Sequence, residues 1–272
     1  MQAANRRKKP QHLLQVQLRV DSYMQVLISA VLFGLGAIFA SFTTVISERV
    51  YTGQSWLQGR SRCNSCRRTL TGIDLVPVFS WLSFGGRCRT CRSKVPGQYA
   101  VSEALLGTLF VISYIHFGLT PVLPVMLLLL CVLLFVVLYD LRHTVVPPWS
   151  STAIIALGLL VEFLTKTSWN EFLLNVLISA GIALGFFLLY ALSRGRAMGL
   201  GDTPMALGLA LMAGSNAISG LLYSFWIGAL IGIGILVMRR GGPTMGIEVP
   251  FVPFLAAGFL LALFTQWNVF LL

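Results

Sequence analysis

The chain has 272 residues, of which 56% are hydrophobic and 11% charged, with a formal net charge of +11. A soluble domain of this length carries roughly twice that charged fraction, so a water-soluble globule is excluded. Fourteen of the twenty Lys and Arg precede residue 95, in the least apolar part of the chain. No basic helix or aromatic recognition motif accompanies them, so they point to anionic lipid and membrane topology, with no nucleic-acid partner.

Residues 1–23 form a basic N-terminal segment (Arg6, Arg7, Lys8, Lys9, Arg19), read as a surface-lying arm or as disordered chain. The first apolar window, 24–46, is too long for a secretory signal core and no small-x-small cleavage site follows it, so it reads as a permanent span. Residues 47–98 make the only long connection and hold nine basic residues from Arg49 to Lys94. Further apolar windows lie near 99–117, 120–139, 151–165, 171–193, 203–216, 218–238 and 253–271. About 20 apolar residues suffice to cross a bilayer, and the windows at 151–165 and 203–216 fall short of that.

Alternating these spans places the connections at 47–98, 140–150, 194–202 and 239–252 on one side. They carry Arg142, Arg194, Arg196, Arg239 and Arg240 besides the basic loop, whereas the opposite connections offer only Lys166. Positive charge gathers on the cytoplasmic side, which makes that side the cytoplasm. The basic N-terminus is the exception, since eight spans place it outside. Asp140 and Asp202 then both reach the cytoplasmic boundary, in a chain with only nine acidic residues. An ionisable group at membrane depth is a functional hypothesis by default. Two carboxyls that meet repel when both are charged and so share a proton, the state needed for acid–base hydrolysis of a bond presented at the membrane. Gly199 and Gly201, in Gly199-Leu200-Gly201-Asp202, let an extended strand approach the backbone there.

Cys63-x-x-Cys66 and Cys88-x-x-Cys91 are separated by twenty-one residues, the spacing of a structural four-cysteine zinc site. Arg62, Arg67, Arg87 and Arg89 beside them favour thiolate over thiol. Two disulfides are the alternative, suited to an oxidising compartment rather than the cytoplasm. Cys131, inside a span, reads as a small core residue. The fold class expected is an all-α polytopic membrane protein of about eight transmembrane helices, with a small zinc-binding cytoplasmic loop domain at 47–98.

In this order the motifs resemble those of the type IV prepilin peptidases, GxGD-type membrane aspartyl proteases. Gly36 to Arg49 (GAIFASFTTVISER) is similar to the family's first helix. Asp74 to Trp81 (DLVPVFSW) with Gly85-Gly86-Arg87-Cys88, Gln98 to Leu105 (QYAVSEAL) and Pro250 to Leu255 (PFVPFL) resemble further family stretches, and Glu103 stands at a matching acid. The resemblance implies that 99–272 is a transmembrane aspartyl peptidase core with Asp140 and Asp202 catalytic and Gly199, Gly201 and Glu103 in support. It implies cleavage of the short leader of type IV pilin-like or pseudopilin-like precursors at the cytoplasmic membrane face, and methylation of the new N-terminus with S-adenosylmethionine. Two departures stand out: Val146-Pro147 is followed by Pro148 rather than an acid or amide, and Thr203-Pro204-Met205 replaces the usual Val-Lys-Leu.

The remaining polar residues have plainer readings. Glu103 alone could equally bind a headgroup, Glu248 reads as a boundary acid, and Glu162 and Glu171 as solvated on the opposite face. His143 reads as lying among headgroups, and Gly228, Gly232 and Gly234 as permitting close helix packing. A proton-coupled transporter and a zinc-stabilised membrane scaffold or inactive homologue are the other classes; the first calls for repeats or broken helices near mid-membrane, and none is visible.

Overall fold

The structure is a computed structural model that describes residues 11–53, 55, 59–196, 198–238 and 250–267. The arginines and lysines at 6–9, Arg239, Arg240 and Glu248 lie outside the described residues. In chain order the helices are α1 (Gln11–Thr52), α2 (Phe79–Ser83), α3 (Gln98–Phe117), α4 (Val122–His143), α5 (Pro148–Thr165), α6 (Trp169–Ser193), α7 (Asp202–Ala213), α8 (Ala217–Met238) and α9 (Val252–Thr265). Among the described residues, six helical stretches are long and apolar enough to cross a membrane, with α9 as a shorter seventh; the last of the six, Asp202–Met238, comprises both α7 and α8. The chain is therefore an all-α, multi-pass membrane protein.

Contacts between helices fix the direction of each. Gly36 meets Gly107, and Tyr99 meets Glu48, so α1 and α3 run antiparallel. Arg142 reaches the same Glu48, which brings the end of α4 to the face that carries the cysteine loop. α5 and α7 both leave that face and run parallel, because Gly208 lies on Ile154 and Gly214 on Glu162. α8 returns along α9, with Gly220 against Phe259 and Gly228 against Phe254. The three-residue 3-10 turn Gly214–Asn216 is thus the apex of an α7–α8 hairpin. Among the described residues, these contacts give helix directions of the alternating kind expected from the sequence.

Two spans come out shorter than expected. α7 has 12 residues and α9 has 14, or about 18 and about 21 Å of helix. α9 ends at Thr265, where Gln266 takes a left-handed conformation (φ 52°), rather than at 271. α1 is longer than the window 24–46 and begins at Gln11.

The interior is built around α7, whose residues Met205, Ala206, Leu209, Ala210 and Met212 are all buried. They meet Met126, Leu129 and Leu133 of α4, Ile154 of α5 and Leu255 and Phe259 of α9 in one apolar cluster. Lipid tails are as apolar as these side chains, so the helices associate through close packing, and small residues allow it. A Cβ on Gly208 would stand 2.8 Å from Ile154 Cγ2 and 2.9 Å from the Ile155 nitrogen. Buried hydroxyls return to their own helices, as Ser179 Oγ does to the Asn175 carbonyl (2.8 Å), because no water is there to satisfy them.

Two expectations are corrected. Glu162 is not solvated: it is 2% exposed, accepts a 2.6 Å hydrogen bond from Asn175 Nδ2 of α6, and its carboxylate fills the space beside Gly214. An acid in that position joins α5, α6 and the hairpin apex. Of the glycines in α8, Gly228 does pack closely, but Gly232 and Gly234 face open space.

Gly208→Val is expected to force α7 off α5 and destabilise the protein by roughly 1–3 kcal/mol, read as a lowered thermal midpoint in detergent. Gly181→Ala, with nothing within 4 Å of its added methyl, should leave the midpoint unchanged or raise it.

Candidate functional site

α4 ends on a left-handed Thr144 (φ 51°) whose N–H returns to the Asp140 carbonyl, 2.8 Å. This stop holds Asp140 in the last turn, 4% exposed. Its Oδ2 accepts a 3.3 Å hydrogen bond from the Val252 N–H, the first free donor of α9. Pro253 follows inside that first turn and has no N–H of its own to satisfy. The Pro250-to-Leu255 element thus presents a helix N-terminus to a carboxylate, a favourable placement for negative charge.

The second acid arrives from a tight loop. The Asp202 N–H bonds the Gly199 carbonyl and the Thr203 N–H bonds the Leu200 carbonyl, each at 3.3 Å, and α7 begins at Asp202. A Cβ on Gly201 would stand 3.3 Å from Val146 Cβ, and one on Gly199 would stand 3.6 Å from Asp202 Oδ2. The α6–α7 and α4–α5 connections therefore touch, which puts Asp202 and Asp140 at one face of the bundle. Two carboxyls at one face, each at a helix end, can hold a single proton between them and can activate a water while polarising a carbonyl. Thr203 Oγ1 is buried beside Asp202 with no hydrogen-bond partner.

Glu103 does not join this pair. It is 8% exposed, and its Oε2 accepts the Val78 N–H at 2.7 Å, holding a residue whose φ is +61°. It fastens the cysteine loop to α3. A second joint that the sequence did not reveal lies next to it: Glu48 Oε1 accepts both Tyr99 Oη (2.7 Å) and Arg142 Nη2 (2.8 Å). One carboxylate thus connects α1, α3 and the helix that bears Asp140. His143 stacks obliquely on Tyr139 with ring centroids 4.8 Å apart.

The cysteine loop contains two copies of one turn. The Cys63 N–H bonds the Arg68 carbonyl and the Arg67 N–H bonds the Cys63 carbonyl; Cys88, Ser93 and Arg92 repeat the pattern. Arg67 and Arg92 both have positive φ, and antiparallel bridges Arg62–Thr69 and Arg87–Lys94 close each turn. The sulfurs of Cys63, Cys66, Cys88 and Cys91 lie within 4.8 Å of one another and could hold a metal ion. All four cysteines are free of disulfides. The Cys63–Cys91 separation is 3.8 Å, matching the edge of about 3.8 Å for a tetrahedron with metal–sulfur bonds of about 2.3 Å. Thiolate is favoured at Cys63, brought down to about 6 by the backbone N–H groups of Cys66 and Ser65 and the Ser93 hydroxyl. Arg68 pairs with Asp74 at 3.1 Å.

Two families of known proteins match the chain. Residues 34–117 match the family described as Bacterial Peptidase A24 N-terminal domain, and residues 127–237 match the Type IV leader peptidase family. The chain is 27% identical to the prepilin leader peptidase/N-methyltransferase of Bacillus subtilis (strain 168) over 86% of this chain and 92% of that protein. It is 29% identical to that of Legionella pneumophila, over 75% of this chain and 72% of the relative. The Dichelobacter nodosus protein of the same name is also 29% identical, over 75% and 71%. No solved structure matches the chain significantly.

Metal analysis of the purified protein should find zinc equimolar with the chain, and Cys88→Ser should lose it. Asp74 is held down to about 2, first by the Thr71 N–H and then by Arg68. A lowered folded value means its stabilisation is complete above the ordinary carboxylate range of about 4 and is lost as pH falls through the folded value. Hydrogen exchange across the cysteine loop should therefore quicken between those pH values, relative to intrinsic rates, and Asp74→Asn should abolish that pH-dependent limb.

Proposed function

The chain belongs to the type IV leader peptidase family, and on that footing we propose that it is a membrane-embedded aspartyl endopeptidase whose working pair is Asp140 and Asp202. Its substrates are type IV prepilin or pseudopilin-like precursors, cut between leader and mature chain. This reading is supported by Asp140 and Asp202 lying at one face of a largely apolar bundle, on connections that touch. One carboxylate takes a proton from water, while the other, protonated, donates to the scissile carbonyl. The first then returns a proton to the departing amine. Gly199 leaves room beside Asp202 for an unwound strand of substrate, since a helical peptide bond is shielded from attack, and Gly201 lets the Val146 connection come close.

The positive charge of the loop face supports an active site open to the cytoplasm, in the cytoplasmic (inner) membrane. The four-cysteine cluster is read as a structural zinc site that folds the loop and does no chemistry. Methylation of the new N-terminal amine, with S-adenosylmethionine as donor, is the second activity proposed. Family membership favours hydrolysis over the transporter and scaffold alternatives.

Co-expression with a pilin-like precursor tests this directly. Asp140→Asn and Asp202→Asn should each slow leader removal by about 10²–10⁴-fold, while the protein still inserts. Wild-type cleavage by either variant would reject the assignment. The N-terminal sequence and mass of the product report the cut position and any added methyl group together.

A further inference from the structure

The cysteine loop carries an apolar ridge that neither the aspartates nor the four sulfurs use. Ile73, Leu75, Val76, Phe79 and Leu82 are all exposed, Phe79 by 65% and Leu82 by 62%. Phe79 and Leu82 stand three residues apart on α2, so they share one side of that short helix. Apolar side chains gathered at a surface in this way mark an interaction site. We propose that residues 73–82 are an interfacial anchor, which sets its apolar side chains into the bilayer leaflet on the loop face while neighbouring arginines bind anionic lipid headgroups.

Contacts with α3 set this segment at the depth of the membrane surface. Val101 and Leu105 are exposed apolar residues of α3, a helix apolar enough to cross a bilayer, so they face lipid. Glu103 is rooted between them, and its Oε2 accepts the Val78 N–H at 2.7 Å. Val78 therefore lies beside the first turns of a spanning helix, and Phe79 follows it directly. α2 is attached again near the start of α3, because a Cβ on Gly97 would stand 3.6 Å from the Trp81 ring. An apolar segment held at that level enters the boundary between headgroups and acyl chains, where such segments sink by about 5–10 Å.

Charge selects the occupant. From Gly53 to Gly97 the sequence holds eight cations and one acid, Asp74. That acid is taken up by Arg68 at 3.1 Å and Arg89 at 3.9 Å. Arg62, Arg67, Arg87, Arg92 and Lys94 are exposed around the two turns. An anionic leaflet supplies apolar chains and negative headgroups together, and attracts basic residues held near its surface. A second copy of this chain would bring the same cations against these and be repelled. The loop is thus held to the bundle by Glu103 and to the leaflet by its own apolar ridge, whichever reaction the aspartates perform.

The test uses the full-length protein in lipid nanodiscs, with the photoreactive 4-benzoylphenylalanine in place of Phe79. The same probe in place of Val101, on the lipid-facing side of α3, gives the reference yield. Irradiation should attach phospholipid to the 73–82 segment in a yield comparable to the reference. Replacing part of the phosphatidylcholine by phosphatidylglycerol should raise that yield several-fold, and high salt should cancel the gain by screening. Cross-links to a pilin-like precursor or to a second copy in place of lipid, or no adduct where position 101 gives one, overturn the anchor. Hydrogen exchange on the wild-type protein, which needs no variant, provides the second reading. Amides of 73–82 should exchange several-fold more slowly in nanodiscs containing phosphatidylglycerol than in phosphatidylcholine alone, and equal rates in the two overturn the role given to the arginines.

Discussion

The parallel packing of α5 against α7, backbone on backbone through Gly158 and Gly208, is the contact on which the candidate site depends. α7 is short and lies in the middle of the bundle. The glycine contact, with Glu162 and Asn175 at the hairpin apex, sets where its first residue stands. That residue is Asp202. Asp140 is fixed independently by the Thr144 stop and the Val252 N–H. Two acids on different helices are brought to one face of the bundle by this scaffold.

The cysteine loop depends on a different physics. About forty residues with few apolar side chains cannot make a core large enough to fold alone, and cross-links by metal are the usual remedy. Here two identical turns present their sulfurs to a common point. Asp74 and Arg68 add a charged connection, and Glu103 holds the loop to α3 through Val78. The Glu48 carboxylate then ties this whole N-terminal part to Arg142 and the peptidase part. The boundary between the two family matches, near residues 117 and 127, is bridged by that one acid.

Much of this could be read in the sequence, because some signals are local. Apolar windows gave the helices, paired CxxC spacing the four-sulfur cluster, and the uneven spread of Arg and Lys the sidedness that put Asp140 and Asp202 together. What stayed hidden depends on residues far apart in the chain. Glu162 looks solvated by its position near a helix end; only Asn175, thirteen residues on, and Gly214 make it an interior residue. Glu103 matched an acid of the family, yet its partner is a backbone N–H in a loop. Pro250 to Leu255 stood out as a motif, but its role needs the hydrogen bond from Val252 to an acid 112 residues earlier. Local periodicity carries no information about such pairings.

Cross-linking across the two loops tests the central geometry most directly. Val146→Cys and Gly201→Cys, introduced together, put thiol-bearing carbons at the 3.3 Å separation seen between these positions, close to the spacing of disulfide-bonded Cβ atoms, about 3.5–4.5 Å. In native membranes under mild oxidation, the pair should form an intramolecular disulfide that mass spectrometry assigns to these two positions. Failure to cross-link, with each cysteine instead labelled by an impermeant reagent from a different side of the membrane, would show that the aspartates do not share a face.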